Sequence, residues 1–213
     1  TNSITNNGLT SWTGISAKTS TVENKGDIVL GDSSNGIYTV NGQIDNYGNI
    51  TAGSANSSGM FGTGITTINH NAGTVTVGDN SAGIATDSGS IINNSNISVG
   101  KGSVSLYSNT GTGVNNASLT LTDGSVGMYT ESGLMTNNGT LTVGKSNVST
   151  DEYSVGMATT TGKIVNKGNI ITDKESGIGM YAGGEGSAEN YGVLDVTGYK
   201  AYGMYGTSGA TLY

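Results

Sequence analysis

Apolar and polar residues alternate along this chain in short bursts that return at a fixed interval. The pairs Ile28/Leu30, Ile50/Ala52, Val75/Val77, Ile97/Val99, Leu119/Leu121, Leu141/Val143, Ile170/Thr172 and Leu194/Val196 each flank one intervening residue. A period of two places both members of a pair on one face of a β-strand. Eight or nine residues later a small residue precedes an apolar one, as in Gly36-Ile37, Gly59-Met60, Gly83-Ile84, Ser105-Leu106, Gly127-Met128, Gly179-Met180 and Gly203-Met204, with Gly156-Met157 arriving late. A third apolar position follows at Ile4, Val22, Ile44, Ile91, Met135, Ile164 and Ala188. Each unit therefore offers three short strands, and no 3.6-residue period appears anywhere.

The units are punctuated by Asn, usually in Asn-x-Gly, at positions 6, 24, 46, 71, 93, 115, 137, 166 and 190, most often 22 residues apart. A fixed period of that size marks stacked repeats, each burying its apolar edge against its neighbours. Three strands per period is the arithmetic of an all-β, right-handed parallel β-helix, or β-solenoid, of about nine coils of about 22 residues. Asn suits a sharp turn, and when stacked its amide can donate to one neighbouring coil and accept from the other. Asp79, Lys101, Asp123 and Lys145 form a second column, whose alternating signs are expected to pair between coils. Two intervals run long: 25 residues from Asn46 to Asn71 and 29 from Asn137 to Asn166. Insertions in a solenoid leave the rod as loops.

Composition narrows the function. Hydrophobic residues are 33% of the 213, too few for an ordinary globular core, yet charged residues are only 11%, which removes the signature of disorder. The net charge is −7 and all eight basic residues are Lys, so nucleic-acid binding is not expected. Cysteine is absent, which excludes disulfides and thiolate metal sites and fits a chain that crosses a membrane unfolded. No apolar run reaches the length of a membrane-spanning helix, and no membrane contact by this segment is expected.

The words Gly-Ile-Gly-Met-Tyr-Ala (177–182), Ser-Val-Gly-Met-Tyr-Thr (125–130) and Ala-Tyr-Gly-Met-Tyr-Gly (201–206) alternate with Asn-Asn-Gly-Thr-Leu-Thr-Val (137–143) and Asn-Lys-Gly-Asn-Ile (166–170). From about Val22 onward this resembles the passenger region of large outer-membrane autotransporters, particularly those of fusobacteria. The resemblance implies a cell-surface adhesin of a Gram-negative bacterium, anchored through a C-terminal barrel absent from this chain. It also implies partners that are host-cell or bacterial surface proteins or glycans. The chain then reads as one β-helical segment of a longer passenger, a monomeric stalk with an irregular first coil over 1–21 and a loop insertion over 145–153.

Candidate chemistry is sparse. The fifteen carboxylates are spread along the rod, mostly at turns, with Asp151-Glu152 and Asp173/Glu175 the nearest to a cluster. His70, the only histidine, has no nucleophile elbow beside it, and Gly183-Gly184-Glu185-Gly186 lacks the Asp a calcium-binding glycine repeat needs. No enzyme activity, cofactor or metal is expected; a purely structural spacer and a polysaccharide-active β-helix enzyme are the alternatives. Contact with a partner is expected at the insertion, through Lys145, Ser146, Asn147, Asp151, Glu152 and Tyr153, and at the bulge Ser54–Ser58. Tyr38, Phe61, Tyr107, Tyr129, Tyr181 and Tyr205 recur after the Gly-apolar word, on the parity opposite to the core. They are expected to stack as a ladder, with Tyr199 and Tyr202 adding to it and Tyr107, Tyr129, Tyr181 and Tyr205 offered to a partner. Trp12 is expected to pack within the first coil.

Overall fold

The computed structural model describes residues 4–6, 11–70 and 72–213. It is a right-handed parallel β-solenoid of about nine coils. Among the described residues, twenty-seven short strands fall on three faces. One coil shows the plan: Thr74–Val77 lies on the first face, Ala82–Thr86 on the second and Gly89–Asn93 on the third. The second and third faces are continuous sheets of nine strands, and the first is split into five and four, between Ile97–Val99 and Ser118–Thr120. At that seam the Thr122 hydroxyl lies 3.0 Å from the carbonyls of both Val99 and Gly100, so a side chain takes up groups that a ladder would otherwise use.

The interior is built from stacked files. Ile37, Met60, Ile84, Leu106, Met128, Met157 and Met180 lie over one another on the second face, all fully buried. Burying one such side chain contributes about 1.5–3 kcal/mol, so the files offset the low overall apolar content by stacking their large aliphatics wholly inside the rod. The third-face file contains Thr67 and Gly113 among its apolar members. The Met135 sulfur occupies the space a Cβ on Gly113 would need, 2.1 Å from that ideal position. A flexible thioether thus fills the gap left by a missing side chain.

The Asn column is a buried amide ladder. Nδ2 of each residue donates to Oδ1 of the next through Asn24, Asn46, Asn69, Asn93, Asn115, Asn137, Asn166 and Asn190, at 2.8–3.0 Å. At two expected places the ladder differs. Asn69, not Asn71, stands between Asn46 and Asn93; Asn71 lies outside the described residues. Asn6 aligns with Leu30 and Ile4 with Ile28, so that stretch runs along the first face and Ile4 is not a third-face residue. Within the stretch expected to be irregular, Thr13–Lys18 pairs in parallel register with Asn35–Val40. Trp12 is not packed inside; it is 48% exposed and is held by its backbone, which bonds to Ser34 and Asn35.

The charge column stacks as expected but bonds differently. Asp79 and Asp123 each accept a hydrogen bond from the backbone N–H of the lysine one coil on, Lys101 (2.8 Å) and Lys145 (2.7 Å). The two ammonium groups turn elsewhere, Lys101 to Glu152 (2.8 Å) and Lys145 to Glu175 (2.7 Å). A short carboxylate suits the backbone directly beside it, while a four-carbon stem reaches a carboxylate further off.

A second polar ladder accompanies the asparagines. Backbone N–H groups of Trp12, Ser34, Ser57 and Ser81 donate to the hydroxyls of Ser34, Ser57, Ser81 and Ser103, at 3.0–3.2 Å. Ser125 and Ser154 continue the file where the chain enters the second face. The serines at 34, 57, 81, 103, 125 and 154 repeat the intervals of the asparagines at 46, 69, 93, 115, 137 and 166, and that matching spacing is the signal that marks them in the sequence.

Candidate functional site

Among the described residues, the seven extra residues before Asn166 make the one large departure from the rod. Chain leaves at Ser146 and returns at Ser154, where the Ser146 hydroxyl accepts from the Ser154 N–H (2.9 Å) and the Ser154 hydroxyl donates to the Lys145 carbonyl (2.8 Å). Between them Asn147 and Glu152 exchange two backbone hydrogen bonds as an antiparallel bridge around a single 3₁₀ turn, Val148–Thr150. Asp151 closes the turn with a left-handed backbone (φ 55°) that Asp tolerates better than most residues. The loop is thus a short hairpin with a defined stem.

The loop stands beside the outer side of the second face. There Val126, Val155, Ile178 and Tyr202 form one file and Tyr129, Ala158, Tyr181 and Tyr205 the next. Val155, Ala158 and Ile178 are buried under the rings of Tyr129 and Tyr181, a small apolar cluster outside the main core. Between loop and face lies a groove of about 800 Å³, lined by Asn147, Val148 and Tyr153 from the loop and by Tyr181, Tyr202 and Tyr205 from the face. Lys145, Glu175 and Lys200 also line it. Tyr202 meets Tyr205 edge-on, with centroids 5.7 Å apart and planes at 61°, while Tyr205 stacks on Tyr181 at 5.9 Å and 17°.

The tyrosine ladder is three pairs, not a continuous stack. Tyr38 pairs with Phe61, Tyr107 with Tyr129, and Tyr181 with Tyr205. Ala85 and Ala158 hold the intervening positions. The expected contact residues therefore divide. Lys145, Ser146, Asn147, Tyr153, Tyr181 and Tyr205 come together at the groove. Asp151 closes the turn of the loop, Glu152 lies in its stem and bonds Lys101, Tyr129 packs against the external apolar cluster, and Tyr107 pairs with Tyr129 away from the groove. The bulge at Ser54–Ser58 borders a shallower hollow of about 390 Å³ lined by Asn56, Asn80 and their neighbours.

The loop is tied to the rod by charge. Glu152 bonds Lys101 two coils away, and hydrogen bonds from Lys101 and then Thr150 hold its carboxyl below the usual range. The same pairing raises the Lys101 ammonium, and the Lys145–Glu175 pair shows the same two shifts. A carboxyl lowered in the folded state contributes stability that is present above its unfolded value, about 4.3, and is lost as pH falls through the folded value. The Lys101–Glu152 tie should therefore persist at neutral pH and release in acid. Amide exchange of 147–152 measured from pH 7 to pH 3 should accelerate below about pH 4.3 beyond its intrinsic pH dependence, and Glu152→Gln should remove that transition.

Elsewhere acidic groups act singly. His70 stacks on Tyr47, with centroids 3.9 Å apart, and its Nε2 lies 3.0 Å from the Asp45 carboxylate. The other oxygen of Asp45 accepts from Gln43 at 2.7 Å. Gly183–Gly186 is a tight turn closed by the Gly186 N–H on the Gly183 carbonyl (2.8 Å). Among the described residues, no three of His, Cys, Asp or Glu converge as metal ligands, and no helix is long and apolar enough to cross a membrane.

Comparison with curated proteins and with solved structures finds no match. A family model does match, along residues 1–213. This chain belongs to the family of the BigA third pectate lyase-like domain.

Proposed function

We propose that this chain is a non-catalytic segment of a surface-displayed adhesin, and that it meets its partner in the groove between the 145–153 loop and the tyrosines of the second face. The observation that carries the reading is the groove itself, where rings half open to solvent meet a stemmed loop on an otherwise smooth rod. Tyr202 and Tyr205 are 52% and 45% exposed, although aromatic rings dominate contact energetics wherever they can be covered. Membership supports the setting, since BigA is a bacterial surface protein of adhesin or autotransporter type. Display through an outer-membrane barrel of a Gram-negative cell is the finer form of the same proposal. A stack of coils that each contact only their neighbours can fold progressively as it emerges, which suits such a route.

The absence of catalysis is part of the proposal. The chain has no arginine, and Glu152, Glu175 and Glu189 are each bound to a lysine, not gathered around one point. The test is adhesion. A non-adherent bacterium displaying the chain should gain attachment to host or bacterial cells, and Tyr202→Ala with Tyr205→Ala should remove most of it. Truncating an aromatic anchor of this kind weakens binding by about 30-fold. Attachment that survives both changes would move the contact elsewhere, and attachment that never appears would make the segment a spacer.

A further inference from the structure

The chemistry of the groove says which class of partner fits it. Its aliphatic floor is already closed, because Val155 and Ile178 are only 7% and 8% exposed beneath the rings. Val148, on the loop, is the exposed aliphatic side chain at its edge. What remains open to a ligand is therefore mainly aromatic. Tyr202 and Tyr205, crossing at 61°, form an L-shaped wall, and Tyr153 faces the groove from the loop. The rim is polar. The Asn147 carbonyl accepts from Ser149, which leaves its NH₂ group to donate outward. Lys145 is neutralised by Glu175, whereas Lys200 lies against the ring of Tyr199 at 5.3 Å with no carboxylate bound to it among the described residues.

A protein partner anchors best by placing an aliphatic or aromatic side chain in a desolvated pocket, and this groove has no aliphatic pocket left to fill. Its volume lies within the range of about 300–1,000 Å³ typical of sites for small ligands. A sugar ring has the complementary chemistry: an apolar C–H face for an aromatic wall and a ring of hydroxyls for amide, hydroxyl and ammonium groups. We infer that the groove binds a short oligosaccharide, with pyranose faces on Tyr202, Tyr205 and Tyr153 and hydroxyls on Asn147 and Lys200. This rests on the groove being the contact surface proposed above and names what occupies it.

The test uses the intact chain on an array of immobilised di- to tetrasaccharides, neutral and acidic, followed by titration of the strongest binder as free sugar. Binding of a defined set of oligosaccharides is expected. Tyr202→Ala or Tyr205→Ala should weaken it about tenfold, and Tyr202→Phe should leave it within about threefold, because a phenyl ring keeps the face. Thermal melts of each variant separate lost contact from lost fold. Binding unchanged in the alanine variants, or lost equally in Tyr202→Phe, would overturn the inference. So would an empty array when displayed cells still adhere through Tyr202; the adhesin reading would then stand with a protein partner. An empty array together with no adhesion would remove both.

Discussion

Replacing Asn115 by Ala is expected to lower the free energy of unfolding by about 3–5 kcal/mol, among the largest effects available outside the apolar core. The Asn115 amide uses its whole capacity. Nδ2 donates to Asn137 Oδ1 and to the Ala117 carbonyl, both at 2.9 Å, and Oδ1 accepts from Asn93 Nδ2 (2.9 Å) and the Ala117 N–H (3.3 Å). Alanine would leave the Asn93 donor and the Asn137 acceptor unpaired where no water reaches, since all three asparagines are fully buried. Each orphaned group costs about 1–3 kcal/mol. Asn138→Ala is the control, because Asn138 belongs to a parallel but exposed ladder with Asn116 (2.9 Å) and should change stability by no more than about 0.5 kcal/mol.

The position also matters. Asn93 and Asn115 bridge the coils between which the first face loses its ladder. Fewer backbone bonds cross there, so the amide bond carries a larger share of the interface. In a linear array, weakening one interface lets the parts on either side unfold separately. Denaturant unfolding followed by circular dichroism should show a lower midpoint for Asn115→Ala and a transition that broadens or divides in two. A single unshifted transition would mean that the ladder follows the fold without supporting it.

Much of this architecture was readable from spacing alone, and the failures have local causes. Asn69 and Asn71 compete for one place in the ladder, and only Asn71 satisfies the Asn-x-Gly word. Pairing decides for Asn69, whose side chain reaches both Asn46 and Asn93, and the turn that follows is longer than its neighbours. A motif is weaker evidence than register when a turn changes length. Near the start, Ile4 stands two residues before Asn6 as Val22 does before Asn24, yet it pairs with Ile28. The charge column illustrates a different limit: the alternation of Asp and Lys was visible, but not that the lysines would reach Glu152 and Glu175, because that depends on side-chain length and on where a loop returns.

The candidate site was legible in its parts and not in its assembly. The length of the insertion announced a loop, and the tyrosines announced an outward strip. That the loop would lie beside Tyr181, Tyr202 and Tyr205 and not beside Tyr107 required the stem at Ser146 and Ser154, where three hydrogen bonds set its exit direction. The breaks in the strip at Ala85 and Ala158 were present in the sequence and become meaningful once register shows that they occupy ring positions.

Gly36→Ala is expected to cost about 2–4 kcal/mol, and Ile50→Leu is expected to restore part of it. The small residue before each second-face core position lies beneath the next coil. An ideal Cβ on Gly36 would sit 2.4 Å from the Gly59 carbonyl oxygen and 2.4 Å from Cγ2 of Ile50. Gly14, Gly59 and Gly83 meet a γ-methyl of Ile28, Val75 and Ile97 in the same way, at 2.2–2.8 Å. Where the next coil carries leucine the contact relaxes, as at Gly179, which is 3.4 Å from Leu194 Cδ2. Leucine branches one carbon further from the backbone than isoleucine or valine, which clears the space beside Cβ. Ser105 fits this rule: it alone replaces glycine in the file, and the coil that follows carries Leu119. The serine hydroxyl is buried without a partner, so Ser105→Ala should be neutral or stabilising by up to about 1 kcal/mol. In a double-mutant cycle Ile50→Leu alone should cost about 1 kcal/mol, and the pair Gly36→Ala with Ile50→Leu should be about 1–2 kcal/mol more stable than the sum of its parts. Strict additivity would place the obstruction in the Gly59 carbonyl alone. Coupling would show that glycine on one face and β-branching on the next are a single packing choice, made coil by coil along the rod.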